Sequence, residues 1–345
     1  MTRRQRGLLD RNLAIEMVRV TEAAAMSAGR VLGWDDKELA DQLAVDAMRQ
    51  ALDAVDVDGE VVIGEGEKDQ APMLYIGEPI GTGDGPAVDV AVDPIEGTTL
   101  VAHGMPGAVS VITAAEKGSM LRTHIAYMNK IVVGSDARGS IDITKTPAWN
   151  LHSIGRAMKR PTSDLTVVVL DRPRHKDLLR EIRGTGARLR LIPHGDVLGT
   201  IMAALDEFPD VQVLMGIGGA TEGVVGACAV KALGGDMQAQ FWPRDEGEEE
   251  ILRQEGFSPG QVLTLDDLCR SEDISLALTG ISDSDLVHGV QYGPARVRTH
   301  SLAMRSRSRS LRWITTLHDV ARLREVGRYH APSEEDILRA AQRPT

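Results

Sequence analysis

The segment from 166 to 233 constrains this chain more than any other feature, because strand-sized apolar runs alternate there with helix-length stretches. Residues 166–170, 188–192 and 211–215 read as strands, and 175–185, 197–207 and 222–233 as helices. Parallel strands need a crossover connection, and a helix is the usual one. The succession therefore predicts βαβ units around a parallel or mixed sheet, and an α/β fold.

The flanking regions have a different rhythm. Residues 10–55 are helical in pattern, with Ala14, Met17, Val18 and Val20 at helical spacing and a second such run over 39–55. Strand-like runs follow at 61–63, 87–92, 109–114 and 130–133, each ending in a turn with Gly or Asp. Residues 244–260 are charged and read as a helix with a loop, and 274–316 return to β character. The tail beyond about Pro332 reads as peripheral. Arg and Ser alternate at 305–310, which as a strand puts the arginines on one face; a charge-blunted sheet edge is the expected reading, with an anion-binding face as the alternative. A chain of 345 residues accommodates two domains. The expected division is an N-terminal lobe over 1–165, a C-terminal α/β lobe over 166–330, and the tail 331–345. With three Phe, four Trp and four Tyr, the core must rest on Val, Ile, Leu, Ala and Met.

Charge and cysteine content exclude several classes. A net charge of -11 argues against a nucleic-acid surface, which is usually basic. It leaves phosphate substrates open, because carboxylates can hold cations that supply positive charge locally. Cys228 and Cys269 form neither a CxxC pair nor a disulfide framework. No apolar run follows the polar, arginine-bearing N-terminus, and no run is long enough to cross a bilayer. A cytoplasmic protein without membrane or nucleic-acid partners is expected.

Two acidic motifs carry the chemistry. In Asp93-Pro94-Ile95-Glu96-Gly97-Thr98 the preceding strand alternates, Val88, Val90 and Val92 on one face and Asp89, Ala91 and Asp93 on the other. Asp93 is expected at the strand's end, with Pro94 turning the chain. Glu96 then returns a second carboxylate, and Gly97-Thr98 opens a helix whose free N–H groups suit an anion. On residues alone this is either a pair of metal ligands with a phosphate cradle or a capped turn with incidental acids. Gly64-Glu65-Gly66-Glu67-Lys68-Asp69 also follows an apolar strand, and its three acids repel one another unless a cation or solvent intervenes. It is either a cation-holding loop aimed inward or an exposed acidic loop. No P-loop is present, so nucleotide hydrolysis has no support.

The runs GEGEKDQAPMLYIGE, VDPIEGTT, YMNKIVVG, DRPRH and GIGGATEGVV occur here in the order found in class II fructose-1,6-bisphosphatases, and the chain resembles that family from about Leu13 to Leu323. The resemblance implies the layered α-β-α-β-α sandwich of the sugar phosphatases, shared with the lithium-sensitive, inositol-monophosphatase-like superfamily. It implies hydrolysis of the 1-phosphate of fructose 1,6-bisphosphate, a gluconeogenic reaction, with two or more Mg²⁺ or Mn²⁺ ions. It makes Asp41 and Glu65 ligands of one metal, and Asp93, Glu96 and Glu222 ligands of a second. Asp69, with Glu65 and Thr98, falls to catalysis, Asp69 orienting the attacking water. Glu96, Gly97 and Thr98 meet the phosphate or its metal. Tyr127, Arg172, Arg174, His194, Gly195, Asp196 and Gly219 correspond to positions that hold the sugar and its distal phosphate, and Lys37 matches a lysine near the site. A homo-oligomer, dimer or tetramer, is expected.

Two positions depart from the family pattern. His194-Gly195-Asp196 stands where relatives commonly have Asp-Gly-Asp, and Thr221 where they commonly have Pro. The first touches sugar recognition and keeps open a sedoheptulose-1,7-bisphosphatase or dual-specificity enzyme. An inositol-phosphate phosphatase and a non-catalytic metabolite-binding homologue are further alternatives. The five proposed metal acids are all present, which argues against the last.

Overall fold

The computed structural model describes residues 12–64, 73–208, 210–325 and 333. The chain forms two compact units, one from 1–118 with 273–345 and one from 119–272. The expected boundary at residue 165 falls inside the second unit, whose sheet takes its central strand from upstream of it. The first unit is likewise completed by strands that return after residue 273.

The first unit begins with α1 (Leu13–Ala28) and α2 (Lys37–Leu52), separated by a turn in which Gly33 and Asp35 adopt positive φ. Asp36 starts α2 as its N-cap, its carboxylate accepting from the Leu39 N–H at 3.0 Å. Strands β1 (Asp58–Ile63), β2 (Pro79–Ile80) and β3 (Ala87–Glu96) follow, then α3 (Thr98–Ala102) and β4 (Val109–Glu116).

The second unit runs through β5 (Tyr127–Val133), α4 (Pro147–Ala157), β6 (Thr166–Leu170), α5 (Lys176–Gly184) and β7 (Arg188–Ile192). It continues with α6 (Val197–Ala204), β8 (Val213–Gly219), α7 (Ala220–Leu233) and β9 (Asp236–Phe241). It closes with α8 (Glu246–Gln254), β10 (Leu263–Thr264) and α9 (Leu265–Leu268). The chain then returns to the first unit as β11 (Ser275–Gly280), β12 (Gln291–Tyr292), β13 (Arg296–Arg305), β14 (Ser310–Asp319) and α10 (Val320–Glu325).

Both sheets are mixed, as the α/β reading expects. In the first unit the order is β12-β13-β11-β4-β3-β1-β2, with β14 on β13. Only β1 and β3 run parallel among its described pairs. Val88, Val90 and Val92 of β3 pack in one core with Met17 of α1 and Met48 of α2, which fixes the face on which the amphipathic helices lie. In the second unit the order is β10-β9-β5-β8-β6-β7, and β6, β7 and β8 are mutually parallel. Ile131 and Val133 of β5 join Val167 and Val169 of β6 in a core with Leu151 and Ile154 of α4 and Leu179 and Ile182 of α5.

Two local expectations are corrected. Pro94 does not end β3, since the strand continues to Glu96 through a register shift between Asp93 and Glu96 against β4. A bulge tolerates a residue without an N–H donor, so the proline is absorbed there. The Arg-Ser alternation is not a strand: 306–309 form the turn between β13 and β14, with Arg309 at φ 45°. Arg305 and Arg307 there pair with Asp273, at 3.2 and 3.6 Å.

Candidate functional site

The candidate residues divide between the units, and in each they gather where parallel strands end. In the first unit β1 and β3 run side by side with Ile63 opposite Ala91, two residues before Asp93. Gly64 leaves β1 so close to the returning chain that a Cβ there would lie 2.0 Å from the Leu74 carbonyl oxygen. The two flanks of the acidic loop therefore meet at its base, which requires glycine. Glu65 and Asp69 themselves lie outside the described residues.

Asp93 is half-buried and Glu96 is buried. Gly97 then takes a left-handed turn at φ 94° as the N-cap of α3. Thr98, the first residue of α3, donates its hydroxyl to Asp41 Oδ1 at 3.1 Å, joining the motif to the middle of α2. Burial pushes the Asp41 carboxyl up to about 6, against the opposing pull of the Thr98 hydroxyl and the Lys37 ammonium. Lys37 is exposed at the first turn of α2. Asp41, Asp93, Glu96 and Thr98 thus offer only oxygen donors. That chemistry fits hard divalent cations such as Mg²⁺ or Mn²⁺, and the desolvated Asp41 carboxylate would gain from one. Among the described residues, no three His, Cys, Asp or Glu side chains gather as a metal-holding group.

In the second unit, Arg172, Arg174, His194, Gly195, Asp196, Gly219 and Glu222 all lie at or just after the carboxyl ends of β6, β7 or β8, the usual position of ligand sites in open α/β sheets. Arg172 donates to His194 Nδ1 at 3.0 Å, so the departure from the family pattern is in contact with a proposed phosphate-binding arginine. Arg174 donates through Nε and Nη2 to the Ile217 carbonyl at 3.2 and 2.8 Å, and its guanidinium lies 5.1 Å from the centre of the Tyr127 ring. Tyr127 in turn meets Trp242 edge-on. It stands opposite Gly219 in the β5–β8 register, which sets these two candidates side by side.

Glu222 lies in the first turn of α7, where an acid complements the helix dipole. Its side chain folds back over the helix start. A Cβ on Gly219 would lie 1.7 Å from Glu222 Oε2, so the carboxylate takes this position only above a glycine and a larger residue would displace it. The second departure from the family pattern acts here, since Thr221 Oγ1 donates to Glu222 Oε2 at 2.6 Å.

Two residues of this region escape sequence reasoning as contributors. His175 is buried and joins two strand ends. Its Nδ1 bonds the Leu170 carbonyl at 2.7 Å, and its Nε2 accepts from the Ile217 N–H at 2.8 Å. Lys130, in the middle of β5, has a fully buried side chain whose Nζ is 2.5 Å from Asp196 Oδ2. The available signal was a lysine inside the apolar run YMNKIVV, where a charge requires a partner. Burial holds the Asp196 carboxyl above its ordinary range even though the Lys130 ammonium opposes this.

The chain matches the model of the family described as bacterial fructose-1,6-bisphosphatase, glpX-encoded, over residues 11–318. It is 43% identical over 321 residues to fructose-1,6-bisphosphatase 1 class 2 of Escherichia coli K12, covering 89% of this chain and 95% of that protein. The same identity and coverage hold for fructose-1,6-bisphosphatase class 2 of E. coli O6:H1 and of Shigella flexneri. The fold is thus that of a mixed α/β phosphoric monoester hydrolase. The chain belongs to the glpX-encoded family of bacterial fructose-1,6-bisphosphatases.

Proposed function

We propose that this chain is a divalent-metal-dependent phosphatase that hydrolyses the 1-phosphate of fructose 1,6-bisphosphate, releasing fructose 6-phosphate and phosphate. The observation that carries the reading is the family match over 11–318, within which every proposed acid is present. Asp41, Glu65, Asp93, Glu96 and Glu222 would hold two or more Mg²⁺ or Mn²⁺ ions. Bound there, such ions neutralise phosphoryl oxygens and lower the pKa of water.

The remaining steps belong to the protein's own groups. Asp69 takes the proton of the attacking water as general base. The backbone N–H groups after Gly97, that of Thr98 first, donate to the transferred phosphate, while the Thr98 hydroxyl is held by Asp41. Arg172 and Arg174 neutralise the distal phosphate, for which forked guanidiniums are well shaped. Tyr127 flanks the sugar, and Asp196 accepts from its hydroxyls. Arg174 is already pinned on the Ile217 carbonyl and Arg172 on His194, so little side-chain freedom remains to be lost on binding.

His194 favours a second reading in which sedoheptulose 1,7-bisphosphate is also a substrate. A neutral imidazole that accepts from Arg172 leaves a different hydrogen-bonding surface from a carboxylate. We further infer membership of the inositol-monophosphatase-like superfamily, supported by the shared Asp-Pro-Ile-Glu-Gly-Thr element. A homo-oligomer in the cytoplasm is the accompanying proposal. Cys228 and Cys269 are buried and not joined in a disulfide, which suits that compartment. Among the described residues no helix is long and apolar enough to cross a membrane.

The test is phosphate release from fructose 1,6-bisphosphate, sedoheptulose 1,7-bisphosphate and inositol monophosphate, with Mg²⁺ and Mn²⁺ in turn. Fructose 1,6-bisphosphate should be turned over with metal. Release from inositol monophosphate alone would reject the assignment.

A further inference from the structure

Side chains along β5 alternate between two environments. Ile131 and Val133 enter the core beneath α4 and α5. Met128 and Lys130 face α7 instead, where a Cβ on Gly223 would lie 3.2 Å from Met128 Sδ and 3.4 Å from Lys130 Cδ. Lys130 therefore threads an ammonium into the interior, with no side-chain area exposed. It has two partners at the carboxyl ends of the parallel strands. Nζ is 2.5 Å from Asp196 Oδ2, after β7, and donates at 3.0 Å to the carbonyl of Gly219, the last residue of β8.

Stability alone does not explain this pair. Two buried charges lose their hydration, and a well-packed apolar pair commonly does as well or better. The pair is also incompletely satisfied. Asp196 Oδ1 is buried without a hydrogen-bond partner, in a residue only 3% exposed. A carboxylate held by one oxygen, its other oxygen an unfilled acceptor, is prepared for a donor from a ligand.

We propose that Lys130 is a positioning residue for sugar recognition. It fixes Asp196 through Oδ2 so that Oδ1 accepts from a hydroxyl of the bound sugar bisphosphate. Its second bond keeps the Gly219 end of β8 in place beside that carboxylate. The assignment rests on the reading of the chain as a sugar bisphosphatase. It predicts that the residue acts on substrate affinity and not on phosphoryl transfer.

The experiment compares wild type with Lys130→Met, Lys130→Gln and the double variant Lys130→Met/Asp196→Asn. It uses fructose 1,6-bisphosphate and p-nitrophenyl phosphate, which has no sugar hydroxyls. Lys130→Met should raise KM for the sugar bisphosphate by about 10- to 100-fold, the range for a hydrogen bond to a charged group. Its kcat, its kcat/KM for the aryl phosphate and its metal half-saturation should each stay within about threefold. Lys130→Gln keeps a donor without the charge, so it should recover part of the loss, leaving KM raised about 3- to 10-fold. The double variant removes the unpaired buried charge, so its thermal midpoint should return toward wild type while KM stays high.

Native KM in Lys130→Met, or recovery of both midpoint and KM in the double variant, would overturn the assignment and leave the phosphatase reading intact. If Lys130→Met does not fold, the Gln variant carries the test, and native KM there overturns the proposal. Wild type that cleaves the aryl phosphate but no sugar bisphosphate would overturn both readings.

Discussion

Replacing His175 by Phe tests how the arginine turn is held to the sheet. The imidazole is buried, donates from Nδ1 to the Leu170 carbonyl, and accepts at Nε2 from the Ile217 N–H. Phenylalanine fills similar space and serves neither group. Leaving a buried donor or acceptor unpaired costs about 1–3 kcal/mol, so the two together cost roughly 2–6 kcal/mol. With a urea m-value of about 3 kcal/mol/M, the midpoint should fall by roughly 0.7–2 M. KM for the sugar bisphosphate should rise as well, because the Ile217 carbonyl that the turn shares is the anchor of Arg174. The effect should depend on pH. Burial, aided by Arg174 and Arg172, holds the His175 pKa below the ordinary imidazole value of about 6.5. Above that value both folded and unfolded chains carry neutral His175, and its contribution is complete. As pH falls below it, the unfolded chain takes up a proton that the folded chain refuses, so the contribution is lost. The gap between wild type and variant should therefore be widest near pH 8 and narrow toward pH 5.5. Urea midpoints within about 0.2 M of each other at pH 8 would refute the argument.

Gly219→Ala should leave stability nearly unchanged, since its φ of −61° suits alanine, but the new Cβ must displace the Glu222 carboxylate. The metal concentration for half-maximal activity should then rise about tenfold or more, read by Mn²⁺ titration, and an unchanged value would remove Glu222 from the ligand set. His194→Asp should replace the Arg172–imidazole bond with an ion pair and shift KM or the preference between fructose and sedoheptulose bisphosphates, with less effect on kcat. Identical kinetics in both proteins would make the departure neutral. Asp69→Asn should lower kcat by about 10²–10⁴-fold with metal binding largely intact, and full turnover would reject its role as base. Excess chelator should abolish phosphate release, with recovery on adding Mg²⁺ or Mn²⁺, and activity persisting in chelator would contradict the metal assignment.

The elements that sequence placed best are those with unambiguous period. Strands 166–170 and 188–192 appear with the same bounds, because short β-rich runs between helices leave no competing register. The break between α1 and α2 was not legible. Both segments share one helical pattern, and the turn is made by local φ values at Gly33 and Asp35. Pro94 was misjudged for a related reason: whether a proline stops a strand depends on what its neighbour presents, and β4 accommodates it with a shifted register.

The acids of the two loop motifs and the arginines were visible because their motifs are contiguous, whereas Asp41, inside α2, was singled out only by the family resemblance. Sequence by itself thus determined the α/β class, the strand-end placement of those motifs and the family. Tertiary structure alone decided that the first sheet is completed by strands from beyond residue 273, and that β6, β7 and β8 deliver three separate motifs to one edge. It alone paired Lys130 with Asp196 across 66 positions, Thr98 with Asp41 across 57 and His175 with Ile217 across 42. Local propensity and periodicity act over a few residues. The desolvation that forces a buried charge or ring nitrogen to find a partner acts only once distant segments have packed.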